Sequence, residues 1–466
     1  MRPLLNGVTS RRTILVGLVA AAVSPIVAAC ASAPPATPTA APAAPAAPTP
    51  AATAAPVATK PAAGAKQVEI KYHYRTGDRE DAWTVTRKEF MEKNPNIVLK
   101  WETYPAADYY DKISVLIAGD QLGDVIFGIP PTYHEWALSG LWKQVDPFIQ
   151  SNKFDMSPYF EKGALSHLRV EGKLHGIPFK ASPGTPGLYY NKDVLDKEGL
   201  DPAKLRDLND LAEMGKKLTK SSGGQTTQWG LTYVGHDGSS LVNWTRYWGV
   251  EPVEPVFNAT KALLDQPNQV ESITYLWKLI HEHKVCPLPG PGAQAYDQLF
   301  IAGTNAMTQQ GTWARGYATN IKDKFKMDVV KMPVGPSGKI GLAHYYDFMG
   351  INGKTKQPDE SWTTLTTFCG YDHGVRIGLP GEGSWTPGGR QDVYDEVARK
   401  EPMLRPFAEI IKDSGPVYYT ANYRTQKTVT TIKNSLDKII LNPSPPKAAD
   451  FKEANEVLQG VLDEPK

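Results

Sequence analysis

Between Val68 and Phe127 the apolar period of the chain switches repeatedly, and that alternation restricts the fold more than any other feature. Val68-Glu69-Ile70-Lys71-Tyr72 alternates apolar and polar residues, the period of two expected of a strand. After Gly77 a helical stretch carries Trp83 and Phe90 two turns apart and stops at Asn94-Pro95, where proline cannot continue the helical hydrogen bonds. Ile97-Val98-Leu99-Lys100-Trp101-Glu102 alternates again. Tyr109, Ile113, Leu116 and Ile117 then share one helical face, and Val125-Ile126-Phe127 forms a short apolar strand. A β-α-β-α-β order predicts a mainly parallel sheet with helices on both faces, because parallel neighbours need a crossover long enough to hold a helix. Helical stripes recur at Leu211/Met214/Leu218, Val270/Ile273/Trp277/Ile280, Val429/Ile432/Leu436/Ile439 and Phe451/Ala454/Leu458/Val461. Trp83, Trp101 and Trp277 sit on periodic faces and are expected in cores.

Charge and aromatic content divide the chain. All the acids lie beyond residue 66, as do all 11 Trp, 21 Tyr and 13 Phe. Arg2, Arg11, Arg12, Lys60 and Lys66 together exceed the whole-chain net charge of +2, so residues 67–466 are mildly acidic. Such a body lacks the cationic excess on which nucleic-acid affinity rests. Its size exceeds what one core usually supports, so two domains are expected.

Ser10-Arg11-Arg12 precedes an apolar run, Ile14 to Ala29, that is shorter than the roughly 20 residues a bilayer span needs. It reads as an export signal over residues 1–29. The pair of arginines resembles a twin-arginine signal, and Val27-Ala28-Ala29-Cys30 resembles a lipobox in which Cys30 is lipidated. Residues 31–66 hold 17 Ala, 9 Pro and 5 Thr and no aromatic residue, so residues 30–66 are expected to form a disordered, semi-rigid stalk on a membrane anchor. Cys286 and Cys369, the other two cysteines, are expected to be buried thiols.

His281-Glu282-His283 has ligand-like spacing but no second cluster to complete a site, so no metal and no cofactor is expected. Neither a Gly-x-Ser-x-Gly elbow nor a His-Glu-x-x-His motif is present.

Six segments in order resemble the extracellular solute-binding proteins of ABC importers, in the sugar-binding group that includes maltose-binding protein. They are Phe90-Met91-Glu92-Lys93-Asn94-Pro95, Tyr109-Tyr110 with Gly123-Asp124-Val125-Ile126, Ala137-Leu138-Ser139-Gly140-Leu141, Gly172 to Pro178, Leu188 to Leu195, and Phe300 to Met307 with Gly311-Thr312-Trp313. The resemblance implies two α/β lobes joined by a hinge, with ligand held between them. Carried onto this chain, it implies a first lobe of residues 67–180 plus 335–378 and a second of 185–332 plus 382–466. Gly- and Pro-rich stretches mark the three crossings, near Lys180 to Pro186, Met332 to Pro336 and Leu379 to Glu382.

Ligands of open α/β sheets lie beyond the carboxyl ends of the strands, which singles out Tyr74 and Arg75 after the first strand and Gly128 to Tyr133, including Pro130, after the third. A sugar site combines flat aromatic platforms with polar side chains that meet hydroxyls. The family places an aromatic platform after the Gly-x-Trp turn, so Trp313 is the leading candidate, followed by Trp244, Trp248, Tyr345, Tyr346 and Trp385. Arg75, Asp78, Lys180 and Asp347 are the candidate polar contacts. Gly128 departs from the maltose-binding pattern, which has a cleft tryptophan there, and so points to a sugar of different shape.

The expectation is a monomeric, exported, lipid-anchored protein without enzymatic activity that captures a carbohydrate and delivers it to the permease subunits of an ABC importer. A non-sugar ligand (polyamine, phosphate ester or peptide) and a secreted carbohydrate-active enzyme are the alternatives.

Overall fold

The computed structural model describes residues 67–465, apart from 106–107, 161–163, 233–237, 289–293, 343–344 and 413–423. Cys30, the expected export signal and the expected stalk lie outside the described residues.

The principal elements run β1 (Val68–Arg75), α1 (Glu80–Lys93), β2 (Ile97–Tyr104), α2 (Tyr109–Ala118), β3 (Val125–Gly128), α3 (Pro130–Leu138) and β4 (Ile177–Ser182). There follow β5 (Gly187–Asn191), α4 (Leu208–Leu218), α5 (Gly238–Thr245), α6 (Pro267–Trp277), β6 (Met307–Gln310), β7 (Met327–Lys331) and β8 (Tyr345–Ile351). The chain closes with α7 (Pro358–Phe368), α8 (Tyr371–Gly378), α9 (Gln391–Lys400), α10 (Thr425–Leu441) and α11 (Ala448–Leu462).

One sheet has the order β2-β1-β3-β8-β4 and the other the order β6-β5-β7, and each anchors its own lobe. In the first, β1 runs parallel to β2 and β3, as the sequence pattern predicts, while β8 is antiparallel to β3 and to β4. In the second, β5 is antiparallel to both β6 and β7. The expectation of a mainly parallel sheet in each lobe therefore holds for two of the four pairings in the first and fails for the second. The reason is directional: β5 has just left the first sheet and runs away from the crossing, whereas β7 carries the chain back toward it. The chain passes between the sheets at 183–186 and again between β7 and β8. Residues 335–342 stay with the second lobe, where the Ser337 N–H bonds the Tyr247 carbonyl at 3.0 Å and Arg246 Nη1 bonds the Leu342 carbonyl at 3.0 Å.

The first core is built on aromatic rings. Tyr72 stacks on Trp101 with ring centroids 4.7 Å apart, and Trp83 lies 4.7 Å from Phe368. In the second core the predicted stripes of α4, α10 and α11 are buried, from Leu211, Met214 and Leu218 to Phe451, Ala454 and Leu458. Asp207 starts α4 by accepting the N–H groups of Asn209 and Asp210, two of the donors that a helix start leaves unpaired. Cys286 lies in the second core and Cys369 in the first, so they do not pair with each other. His281 is tied to the Ile440 carbonyl at 2.8 Å and stacks on Trp277.

Candidate ligand-binding site

The four candidate polar residues come together. Arg75 closes β1, Asp78 stands in the following turn, and Lys180 on β4 is the ladder partner of Asp347 on β8. Lys180 Nζ lies 2.8 Å from Asp78 Oδ2 and 3.1 Å from Asp347 Oδ2. Arg75 approaches the same two oxygens at 3.7 and 3.8 Å. The Tyr74 hydroxyl also donates to Asp78. Beneath the cations lies the Phe127 ring, 5.0 Å from the Arg75 guanidinium carbon and 5.4 Å from Lys180 Nζ.

Burial separates the members of this cluster. Lys180 and Asp78 are 4% and 6% exposed, whereas Arg75 retains 27% of its side-chain surface. Burial pushes the Asp78 carboxyl up, but the Lys180 and Arg75 charges and the hydrogen bonds from Lys180 and Tyr74 outweigh it and hold the group below its usual range. Arg75 shows the mirror image: burial opposes its charge, and Asp78 and Asp347 restore and strengthen it.

Asp78 also bridges to Ser384, and Lys180 to Gly388, which fastens the cluster to the connection between α8 and α9. That connection is gripped by two buried arginines. Arg79 donates to the carbonyls of Arg376 and Leu379, and Arg315 to those of Gly378 and Trp385. Neither was singled out in the sequence, because their partners lie far along the chain and leave no periodic trace.

Trp313 is half-buried on the 3₁₀ turn Thr312–Tyr317 that follows β6. Its indole N–H donates to Gln310 Oε1 at 3.2 Å, and Gln310 in turn donates to Asp297 at 2.7 Å. Gly311 makes room for the ring, since a Cβ there would fall 2.2 Å from Trp313 Cζ3 and 2.6 Å from the Gly184 carbonyl oxygen. The Gly-x-Trp motif thus seats an indole against the first crossing.

Other candidates are core residues, and for them the expectation is corrected. Trp244 donates to the Ser272 carbonyl at 3.1 Å, and Trp248 packs 5.9 Å from it and 5.5 Å from Tyr275, so their faces are used inside the second lobe. Tyr133 donates to the Leu168 carbonyl and accepts from the His175 N–H at 2.9 Å, which consumes its polar end in the first core. Tyr346 is buried in a third apolar cluster, shared with Tyr189 of β5 and Tyr394 of α9. Trp385 is 6% exposed and donates to the Gly381 carbonyl at 2.8 Å. Tyr74 is fully buried and reaches the cluster only through its hydroxyl. Pro130 opens α3 and Tyr345 opens β8, but their side chains are outside the described residues.

Gly128 has a packing reason to be glycine. A Cβ there would lie 2.2 Å from Phe348 Cζ, so position 128 faces the first core rather than a ligand. Gly128→Ala is expected to destabilise the protein by about 1–3 kcal/mol through overpacking while leaving ligand affinity unchanged, read from a urea midpoint and a binding titration.

Among the described residues no three metal-ligating side chains gather, and no helix is long and apolar enough to cross a membrane.

The model of the bacterial extracellular solute-binding protein family matches residues 86–372. An ABC transporter extracellular-binding protein of Pyrococcus horikoshii is 24% identical over 351 residues, 72% of this chain and 75% of that protein. An arabinooligosaccharide-binding protein of Bacillus subtilis is 23% identical over 283 residues, 59% of this chain and 62% of that one. Among solved structures, an ABC substrate-binding protein from Listeria monocytogenes in complex with cycloalternan superposes with a TM-score of 0.74 at 20% identity, over 85% of this chain and 99% of that one.

Proposed function

Since the chain belongs to the bacterial extracellular solute-binding protein family, which binds solutes outside the cytoplasm and performs no chemistry on them, we propose that its own ligand is a carbohydrate held between the two lobes. The observation that carries this reading is Trp313, a half-buried indole oriented by Gln310 and seated on Gly311 beside the first crossing. An aromatic face of this kind stacks on the C–H face of a sugar ring, while Arg75 and its carboxylates meet hydroxyls. The arabinooligosaccharide-binding relative and the cycloalternan-bound neighbour support the same class of ligand.

In this reading the lobes divide near 183–186, 332–344 and 379–390. Ligand touching both lobes favours the closed form and shifts an existing open-closed equilibrium, and a membrane permease receives the closed form. The protein acts as a monomer, and lipidated Cys30 with the Ala/Pro-rich stalk tethers it to the membrane after export.

The purified protein, titrated with a panel of sugars, polyamines, phosphate esters and short peptides, is expected to show saturable changes in tryptophan fluorescence with sugars and to return them intact on chromatography. Trp313→Ala is expected to weaken sugar binding about tenfold or more, the equivalent of one stacking contact. Cleavage of the sugar, or a response confined to the other ligands, would reject the reading.

A further inference from the structure

In the Arg75–Asp78–Lys180–Asp347 cluster each of the two cations lies within 3.8 Å of both carboxylates. Its members are not equivalent. Lys180 is nearly enclosed, flanked by the Phe127 and Phe179 rings at 5.4 Å each, and engaged by both carboxylates. Arg75 is partly exposed, and its distances of 3.7 and 3.8 Å to those carboxylates exceed hydrogen-bond length. Among the described residues no group accepts a hydrogen bond from it. Arg75 therefore has its charge compensated and its N–H donors available.

We propose that this balance of charges, two cations against two carboxylates, makes the site selective for uncharged ligands. The inference rests on the carbohydrate reading and adds to it the charge class of the sugar. Without Lys180, Asp78 and Asp347 would leave Arg75 in a net negative setting that favours an amino sugar. Without one carboxylate, the two cations would favour a uronate or a sugar phosphate. With all four, an anionic ligand must compete against two fixed carboxylates for Arg75, and a cationic ligand meets two carboxylates already engaged by Lys180. A neutral hydroxyl needs only the free N–H donors, and it accepts from them without disturbing the ion pairs.

The test uses Asp347→Asn and Arg75→Gln, both at partly exposed positions, so that the fold survives the exchange. Wild type and variants are titrated with D-glucose, D-glucuronate and D-glucosamine, the same three forms of galactose, and the neutral maltotriose and arabinotriose. The readout is the ratio of charged-ligand to neutral-ligand affinity, which a general loss of structure does not move. Wild type is expected to prefer the neutral form of each set. The uronate ratio is expected to rise about tenfold in Asp347→Asn and to fall about tenfold in Arg75→Gln, with the amino-sugar ratio moving oppositely in each. Neutral-sugar binding with ratios that stay put, or that shift in the same direction in both variants, overturns the inference and leaves the carbohydrate reading intact. A wild type that binds only the charged sugars overturns the inference alone, and one that binds none of the sugars overturns both; either is seen before any variant is made.

Discussion

Lowering the pH from neutrality to about 4 is expected to remove several kcal/mol of folding stability, with the loss beginning near pH 6.5. Among the described residues four histidines are buried: His73, His134, His167 and His373. Burial lowers His73 to about 4, with Glu102 opposing, and lowers His134 to about 4. His167 and His373 are pushed down as well, by burial first and then by neighbouring His134 and Arg376, respectively. His73 is held neutral for a structural reason, because its Nε2 accepts the Gly123 N–H at 2.8 Å.

The sign follows from these directions. In the unfolded chain each imidazole takes up its proton near the ordinary value of 6.5, whereas in the folded chain His73 and His134 resist until about pH 4 and His167 and His373 are pushed down in the same direction. The unfolded state therefore binds more protons throughout that window, so stability is full above it and drains away as the pH falls through it. A displacement of that size is worth about 3 kcal/mol for each of His73 and His134. Asp78, whose carboxyl is held low, contributes its own loss only at more acidic pH. Part of the cost falls on a contact between the lobes, since Phe257, from the β-hairpin region of the second lobe, lies 5.8 Å from His134 and 6.3 Å from His167. Melting temperatures measured between pH 7.5 and 4 check the expectation. A curve that stays flat down to pH 4.5 would sink it, and His134→Met should remove a share of the slope.

What was readable in the sequence was what local period encodes. The strands and helices from Val68 to Phe127 and the stripes of α4, α10 and α11 emerged because each buries one face, and a buried face leaves a repeat. Strand direction in the second lobe was not readable, because it depends on where the chain enters from the first sheet. Of the polar cluster only Arg75 was readable from a strand end; Lys180 and Asp347 were named as candidate contacts, and they meet it because their strands are ladder partners in the same sheet. Aromatic residues were harder. Trp244 and Trp313 are alike as letters, and only the preceding Gly311 marks the one whose ring is placed against a crossing. Arg315 left no mark at all, since it meets Glu401 across 86 residues and its other acceptors are backbone carbonyls.

That arginine is expected to be among the most costly residues to replace. Its guanidinium is fully buried and donates to Glu401 Oε2 at 2.5 Å, to the Thr312 carbonyl at 3.1 Å, to the Gly378 carbonyl at 3.2 Å and to the Trp385 carbonyl. One side chain thus fastens the start of the Trp313 turn, the end of α8 and the connection that follows it. Arg315→Met keeps much of the volume but strands the Glu401 carboxylate, itself 7% exposed, without its counter-charge. Breaking a buried pair from one side costs about 3–5 kcal/mol, because the remaining charge stays desolvated. Arg315→Lys should recover part of this, since a point charge still meets Glu401 but cannot reach the carbonyls as a fork does. Arg315→Met combined with Glu401→Gln should also be more stable than Arg315→Met alone, because the stranded charge is gone. Urea unfolding of the four proteins gives the comparison. A midpoint for Arg315→Met indistinguishable from wild type would show that the strut is not needed. A double variant less stable than Arg315→Met would show that the cost does not come from the stranded carboxylate.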